Sequence, residues 1–353
     1  MNNIKRIQSK MKDGGMSALL CTGEVSRLFA VNFESSAGMV LILPEEAFFF
    51  TDFRYFEMAK RTISGCEILL VTGNRSYFTL INELLAGKKI GLLYAEDRVL
   101  SVYEFERLKG GIEAELVPAG DILNRLRVSK EPWELERMEK AQRISEKVLD
   151  RATSSIRPGV RDIDIKAEIE YSFIKEGCTA AFETIVAVGR NSSMPHAKAN
   201  GRVINTGDFV TIDMGARYKG YCSDMTRTFA VGHADPEMRK VYDVVLTAQL
   251  AALQTARETI PYNAVDRAAR DIIDNEGYGD CFGHGLGHGV GLEVHEDLYA
   301  TPEEGGLKAG SILTFEPGIY LEGRFGVRIE DFGAITRHGM DNFTRFPKEL
   351  IVI

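Results

Sequence analysis

The sequence predicts two domains, an α/β domain over residues 1–125 and an α+β domain over residues 126–353. Three observations lead there. A chain of 353 residues is longer than one hydrophobic core comfortably serves. From residue 16 to residue 120, short apolar runs alternate with amphipathic stretches, the pattern of helices laid on a mixed sheet. Beyond residues 120–130 the chain turns to charged, strongly periodic helices, followed by apolar segments that each carry an acid or a histidine.

In the first domain the strand candidates are SALLC, GMVLIL, AFFFTD, CEILLV, KIGLLY and AELVPA, separated by helix candidates such as FRYFEMAKRTI and YFTLINELLAG. No phosphate loop is present and no GxGxxG opens a helix, so a nucleotide site has no support there. The second domain opens with DILNRLRVSKEPWELERMEK. Pro132 suits the first turn of a helix, where its missing N–H costs nothing, with Ser129 as candidate cap. DIDIKAEIEYSFIKEG, closing at Gly177, is a further helix, and PEMRKVYDVVLTAQLAALQTARET and AVDRAARDIIDNEG are two more.

Asp213, Asp224, His288, Glu316 and Glu330 each stand in a run that would otherwise be a buried strand: VTIDMG, GYCSDMTRTFAV, GHGVGL, ILTFEPG and FGVRIED. Carboxylates in such places lose hydration that only a cation, a proton or a dense set of donors replaces. Four carboxylates exceed what Arg328 alone could neutralise, so a metal is expected. Asp213 and Asp224 flank Tyr218-Lys219 symmetrically in a strand, turn, strand pattern, so an antiparallel hairpin would set them opposite each other, roughly 5 Å apart. Oxygen-rich donors suit hard or borderline divalent ions such as manganese, cobalt, iron and zinc.

These residues and their surroundings resemble the Xaa-Pro peptidase family of aminopeptidase P and prolidase. The resemblance runs from TDFRY near residue 50 through MPHA, TIDMGARYKGYCSDMTRTF, GHGLGHGVGLEVHE, LTFEPGIY and GVRIED. It implies a creatinase/prolidase-type amino-terminal domain and a catalytic domain of the pita-bread fold shared with methionine aminopeptidase. It implies two divalent ions, manganese first among the candidates: Asp224 and Glu330 bridge both, Asp213 completes one, and His288 with Glu316 completes the other. Two ions roughly 3.5–4 Å apart can activate a water and stabilise the oxyanion formed in peptide hydrolysis. Glu316 has the further implied role of general base. His196, His284 and His295 match histidines that line the substrate pocket, where a donor aimed at an oxyanion is worth about 3 kcal/mol. Arg328, two residues before Glu330, matches an arginine that orients carboxylates. A lid, a homodimer and a proline-containing peptide or dipeptide as substrate are implied in the same way.

HGLGH is not a helical zinc motif of the HExxH type. The glutamate is absent, and Gly283, Gly285, Gly287, Gly289 and Gly291 would cost a helix roughly 1 kcal/mol each. Such glycine density suggests backbone pressed against a neighbouring strand or the substrate. Asp331, next to a candidate ligand, is expected to point away from it.

Net charge of -8 argues against nucleic acid as partner. The polar start MNNIKRIQSKMKDGG and the lack of a long apolar run predict a cytoplasmic chain without a membrane span. Cys21, Cys66, Cys178, Cys222 and Cys281 are odd in number and form no CxxC, which disfavours disulfides and thiolate zinc. Cys222, two residues before Asp224, reads as a small buried residue. The competing functions are a methionine aminopeptidase-like activity, disfavoured by the amino-terminal domain, and a non-catalytic binding protein, which would be expected to have lost ligands.

Overall fold

In the computed structural model, which describes residues 1–353, the chain divides into Met1–Arg127 and Val128–Ile353. The first unit holds strands β1 (Leu19–Cys21), β2 (Met39–Ile42), β3 (Ala47–Thr51), β4 (Glu67–Leu70), β5 (Leu92–Ala95) and β6 (Glu115–Pro118). Its helices are α1 (Ile4–Asp13), α2 (Glu24–Val31), α3 (Phe53–Thr62), α4 (Tyr77–Gly87), α5 (Val102–Gly111) and α6 (Ile122–Val128). Each apolar run named above is one of these strands. They form a mixed sheet in the order β4-β3-β2-β1-β5-β6, parallel at β3/β4, β1/β5 and β5/β6 and antiparallel in the β1-β2-β3 meander. Leu20, Leu41, Phe48, Phe50 and Leu93 meet Leu80, Ile81 and Leu85 of α4 in its core.

The second unit begins with α7 (Pro132–Thr153) and α8 (Asp162–Lys175), followed by β7 (Thr179–Ala180), β8 (Ile185–Val188), β9 (Phe209–Met214), β10 (Ala216–Tyr218), β11 (Tyr221–Cys222) and β12 (Met225–Ala230). Pro132 is the first helical residue, but Glu131, not Ser129, stands at the cap. The Glu134 carboxylate accepts the Glu131 N–H at 2.7 Å. Ser129 is drawn instead into a bridge with Ser311, its hydroxyl donating to the Ala309 carbonyl. Helices α7 and α8 cover the sheet β12-β9-β8 through Ile144, Val148, Ile165, Ile169, Phe173, Ile212 and Phe229.

Then come α9 (Pro236–Thr255), α10 (Tyr262–Asn275), β13 (Ile312–Phe315), β14 (Gly318–Leu321), β15 (Phe325–Arg328), β16 (Asp331–Ile335) and β17 (Met340–Asn342). Asp235 caps α9 by accepting the Met238 N–H at 2.8 Å. The two helices pack with Leu313, Phe315, Ile319 and Val327 in a second core. A bridge between Thr226 and Glu330 joins the two halves of this unit along a seam.

The hairpin expected around Tyr218-Lys219 exists with a different register. It turns at Lys219-Gly220, where φ is 48° and 86°, the doubly left-handed backbone that a two-residue hairpin turn requires. Arg217 therefore pairs with Cys222, and Thr226 rather than Asp224 stands opposite Asp213. Asp224 is displaced by two residues along the partner strand, a diagonal neighbour on the same face.

Candidate metal centre

Asp213 lies near the end of β9, Asp224 in the break between β11 and β12, Glu316 one residue past β13, and Glu330 between β15 and β16. Strand ends point these carboxylates into the seam while their apolar neighbours hold the backbone in the two cores. The His288 stretch is not the strand expected of GHGVGL. It is irregular backbone lying beside β13, with Thr314 N–H donating to the His288 carbonyl and Glu316 N–H to that of Leu286. Its glycines make that approach possible: a Cβ on Gly287 would stand 2.1 Å from the Thr314 carbonyl oxygen.

Every side chain singled out from the sequence as a ligand or pocket residue lines one cavity of about 450 Å³: His196, Asp213, Asp224, His284, His288, His295, Glu316, Arg328 and Glu330. Asp224, His288 and Glu330 each have one ligand atom within 4.8 Å of those of the other two. His288 Nε2 is 3.7 Å from Asp224 Oδ2 and 3.4 Å from Glu316 Oε1. Asp213 is held apart by Arg328, whose Nη2 donates to Asp213 Oδ2 at 2.7 Å. Its other oxygen, Oδ1, is buried without a hydrogen bond. His295 lies against His288, ring centroids 4.2 Å apart. His196 is exposed on the cavity wall.

Burial and mutual repulsion dominate the electrostatics of the cluster. Burial, then the fields of Glu330, Asp213 and Glu316, push the Asp224 carboxyl well above the usual range. Burial, Glu316 and Asp213 do the same to Glu330 against the opposing field of Arg328. Glu316 is pushed up to about 8 by burial, against the opposing field of Arg328 and with a smaller push from Asp213. Burial and His295 lower His288 to about 4, so its imidazole is neutral. With Nδ1 donating to the Gly289 carbonyl (3.1 Å), Nε2 is left as an acceptor facing two acceptors. Only a proton or a cation satisfies that arrangement. One imidazole and a set of carboxylates, one of them with an orphaned oxygen, fit divalent ions of the hard or borderline class.

Three hydroxyls complete the site and were not found from the sequence. Thr226 Oγ1 donates to Glu330 Oε2 at 2.7 Å and accepts from Arg328 Nε at 3.1 Å. Thr314 Oγ1 accepts the His288 N–H at 2.9 Å. Tyr320 Oη lies 2.9 Å from both Arg328 Nη1 and His284 Nε2. Thr226 alone left a signal, because it sits two residues from Asp224 and shares its face. Asp331, by contrast, turns away from the seam and binds Arg227 at 2.8 Å. Cys222 is buried beside the Leu292 carbonyl.

Comparison with known proteins agrees with this geometry. Residues 136–337 match the metallopeptidase family M24, and residues 3–129 match the creatinase/prolidase N-terminal domain. An Xaa-Pro dipeptidase of Pyrococcus furiosus is 36% identical over 316 residues, 89% of each chain. The structure of an Xaa-Pro dipeptidase from Bacillus anthracis superposes with a TM-score of 0.93 at 38% identity, covering 99% of both chains. That of an X-Pro aminopeptidase from Thermotoga maritima does so at 0.92 and 33%, covering 98% of this chain and all of the other. No helix here is long and apolar enough to cross a membrane. The chain therefore belongs to metallopeptidase family M24, with a creatinase/prolidase N-terminal domain ahead of a pita-bread catalytic domain.

Proposed function

We propose that this metallopeptidase hydrolyses the bond between an N-terminal residue and proline, with two divalent cations held by Asp213, Asp224, His288, Glu316 and Glu330. The observation that carries the reading is the His288 lone pair facing Asp224 and Glu316 in a buried nest of acids. The substrate class is supported by the relatives, whose names are Xaa-Pro dipeptidase and X-Pro aminopeptidase. An Xaa-Pro bond is a tertiary amide without N–H, which suits a pocket walled by histidines rather than by backbone acceptors. The cation-holding set favours manganese, with cobalt, zinc and iron as alternatives, and the proposed state is a cytoplasmic homodimer.

When bound, the cations supply Lewis acidity to water and to the scissile carbonyl. The remaining work falls to side chains. Asp213, Asp224, His288, Glu316 and Glu330 are the side chains that would hold the two ions. Arg328 fixes Asp213 through Oδ2 and so aims Oδ1 into the site. Glu316, which lines the cavity beside His288, is suited to take the proton of the attacking water on a carboxylate oxygen once a bound cation holds it ionised. His196 and His295 face the cavity as donors to the developing oxyanion. His284 has one nitrogen against the Gly285 carbonyl and the other against Tyr320 Oη, so it shapes the wall and steadies Arg328 through the tyrosine.

Metal-stripped protein reloaded with manganese is tested on Gly-Pro, Ala-Pro, Arg-Pro-Pro and Met-Ala-Ser. Cleavage of the proline peptides is expected, dipeptides alone marking a dipeptidase and the tripeptide an aminopeptidase. Cleavage of Met-Ala-Ser alone, or of nothing with any of the four ions, refutes the proposal.

A further inference from the structure

The loop from Gly289 to Glu296, which follows His288 and contains His295, is closed on itself. Gly289 and Glu296 exchange backbone hydrogen bonds of 3.2 and 2.8 Å, and the Gly291 N–H donates to the Glu293 carbonyl at 2.9 Å. Inside the loop lies the Glu296 carboxylate. Its Oε1 accepts the Leu292 N–H at 2.9 Å and the Glu293 N–H at 3.4 Å, while Oε2 stands 3.1 Å from Lys130 Nζ. The wrapping is tight: a Cβ on Gly291 would stand 2.4 Å from Glu296 Oε1.

Lys130 and Glu296 side chains are only 4% and 5% exposed, and neither lines the catalytic cavity. Lys130 is itself fixed, its N–H donating to the Gly310 carbonyl at 2.9 Å and its Nζ to that of Val128 at 3.3 Å. A buried ion pair is a poor stabiliser compared with apolar packing, so the presence of one at the foot of this loop asks for another reason. The loop ends supply it: they carry two imidazoles in contact, tilted 57° to each other, one of which faces the acid cluster.

We infer that the Lys130–Glu296 pair is a positioning device that holds the 289–296 loop closed, so that His288 Nε2 faces the acids and His295 lies against it. It touches neither substrate nor cation. The inference rests on the reading of the cluster as a cation centre.

The test uses the full chain and the variants Glu296→Gln, Lys130→Met and their double. Manganese affinity of the metal-stripped protein is read by calorimetry, and the imidazole nitrogens of the metal-free protein by histidine-selective 15N NMR. Each single variant is expected to weaken manganese binding about 10- to 100-fold and to move the His288 and His295 resonances while those of His233 and His338 stay. The double variant, with no lone buried charge, is expected to recover part of the affinity. Folded single variants with wild-type affinity and unmoved resonances, whatever their melting temperature, overturn the inference. If the wild-type chain binds no manganese, the centre itself is refuted, and the resonances alone decide the positioning claim. Should a single variant fail to fold, Lys130→Gln, which removes the charge and keeps a hydrogen-bond donor, takes its place; the same two resonances are expected to move, and unmoved ones overturn the claim.

Discussion

Glu330 and Asp331 are consecutive, both essentially fully buried, and they occupy opposite electrostatic worlds. Asp331 is saturated with counter-charge and donors: Arg227 Nη2 at 2.8 Å, Lys348 Nζ in direct contact, and the neutral Asn342 Nδ2 at 2.7 Å. Burial would raise its carboxyl, yet Arg227 and Lys348 hold it below the usual range. Glu330, one residue earlier and so on the other face of the backbone, meets Thr226 and a crowd of other acids, and its carboxyl is driven well above that range. The same depth of burial produces an ionised structural acid on one face and a carboxyl pushed toward its neutral form on the other. What separates structure from function here is the sign of the surrounding charge, since burial is common to both.

The contrast breaks most sharply when each acid is neutralised in turn. Glu330→Gln removes a proposed shared ligand, and kcat/KM with manganese is expected to fall by 10³- to 10⁴-fold, roughly the several kcal/mol that cation catalysis supplies. The same variant is expected to make the metal-free chain more stable at pH 7, because one member of a like-charged set is gone. Asp331→Asn does the reverse. It strands Arg227 and Lys348 and is expected to cost about 3 kcal/mol in urea unfolding, while leaving the manganese affinity of the folded protein as it was. A loss of affinity in Asp331→Asn, with unchanged stability, would show the two faces to be one coupled network.

pH sharpens the comparison, because the two faces have linkage of opposite sign. Glu316 has a folded value of about 8 against roughly 4.3 unfolded, so between these values the folded state binds more protons. Stability of the metal-free chain contributed by this group is full below the unfolded value and is lost as pH rises toward 8. Asp331 is depressed in the folded state, so its contribution is present above roughly 3.9 and lost as pH falls through its folded value. Manganese at 100 times its dissociation constant should add about 2.7 kcal/mol, and at a fixed concentration more of its effect should appear at pH 8, where fewer protons need displacing, than at pH 5. Calorimetric melting with and without manganese across pH 3–9 measures both limbs. A metal-free stability flat from pH 5 to pH 8 would refute the cluster's charge balance.

How far this contrast could be read beforehand depended on what leaves a pattern. An acid inside an apolar run is conspicuous, and alternation along a strand sends Asp331 away from Glu330. The six strands of the first unit were legible for the same reason, as apolar runs bounded by turn residues. The hairpin register was not, because it depends on the left-handed backbone of Lys219 and Gly220, and a symmetric placement of the two aspartates drew the turn one residue early. The His288 stretch misled in another way: its apolar and glycine content suits a strand, while the backbone follows a loop folded around Glu296. Hydroxyls such as Tyr320 and Thr314 have no periodic signature, and only the fold brings them to Arg328 and His288.

Thr226 connects the two faces, and it provides the subtlest test. Its hydroxyl donates to Glu330 Oε2 and accepts from Arg328 Nε, while its carbonyl accepts from Arg227 Nη1 on the Asp331 side. Thr226→Val keeps the shape and the carbonyl but deletes the hydroxyl, leaving Glu330 one donor short and Arg328 one acceptor short. Hydrogen bonds to charged groups are worth about 1.5–3 kcal/mol, and relaxation of Arg328 onto Asp213 and Tyr320 places the expected loss at the lower end. That corresponds to roughly a tenfold weaker manganese affinity. The Asp331 side should not register the change, because its partners reach the carbonyl alone: the acid limb of the pH–stability curve is expected to be that of the unmodified chain. An acid limb shifted together with the affinity would mean that Thr226 couples the faces through its backbone, and that the two environments are not independent.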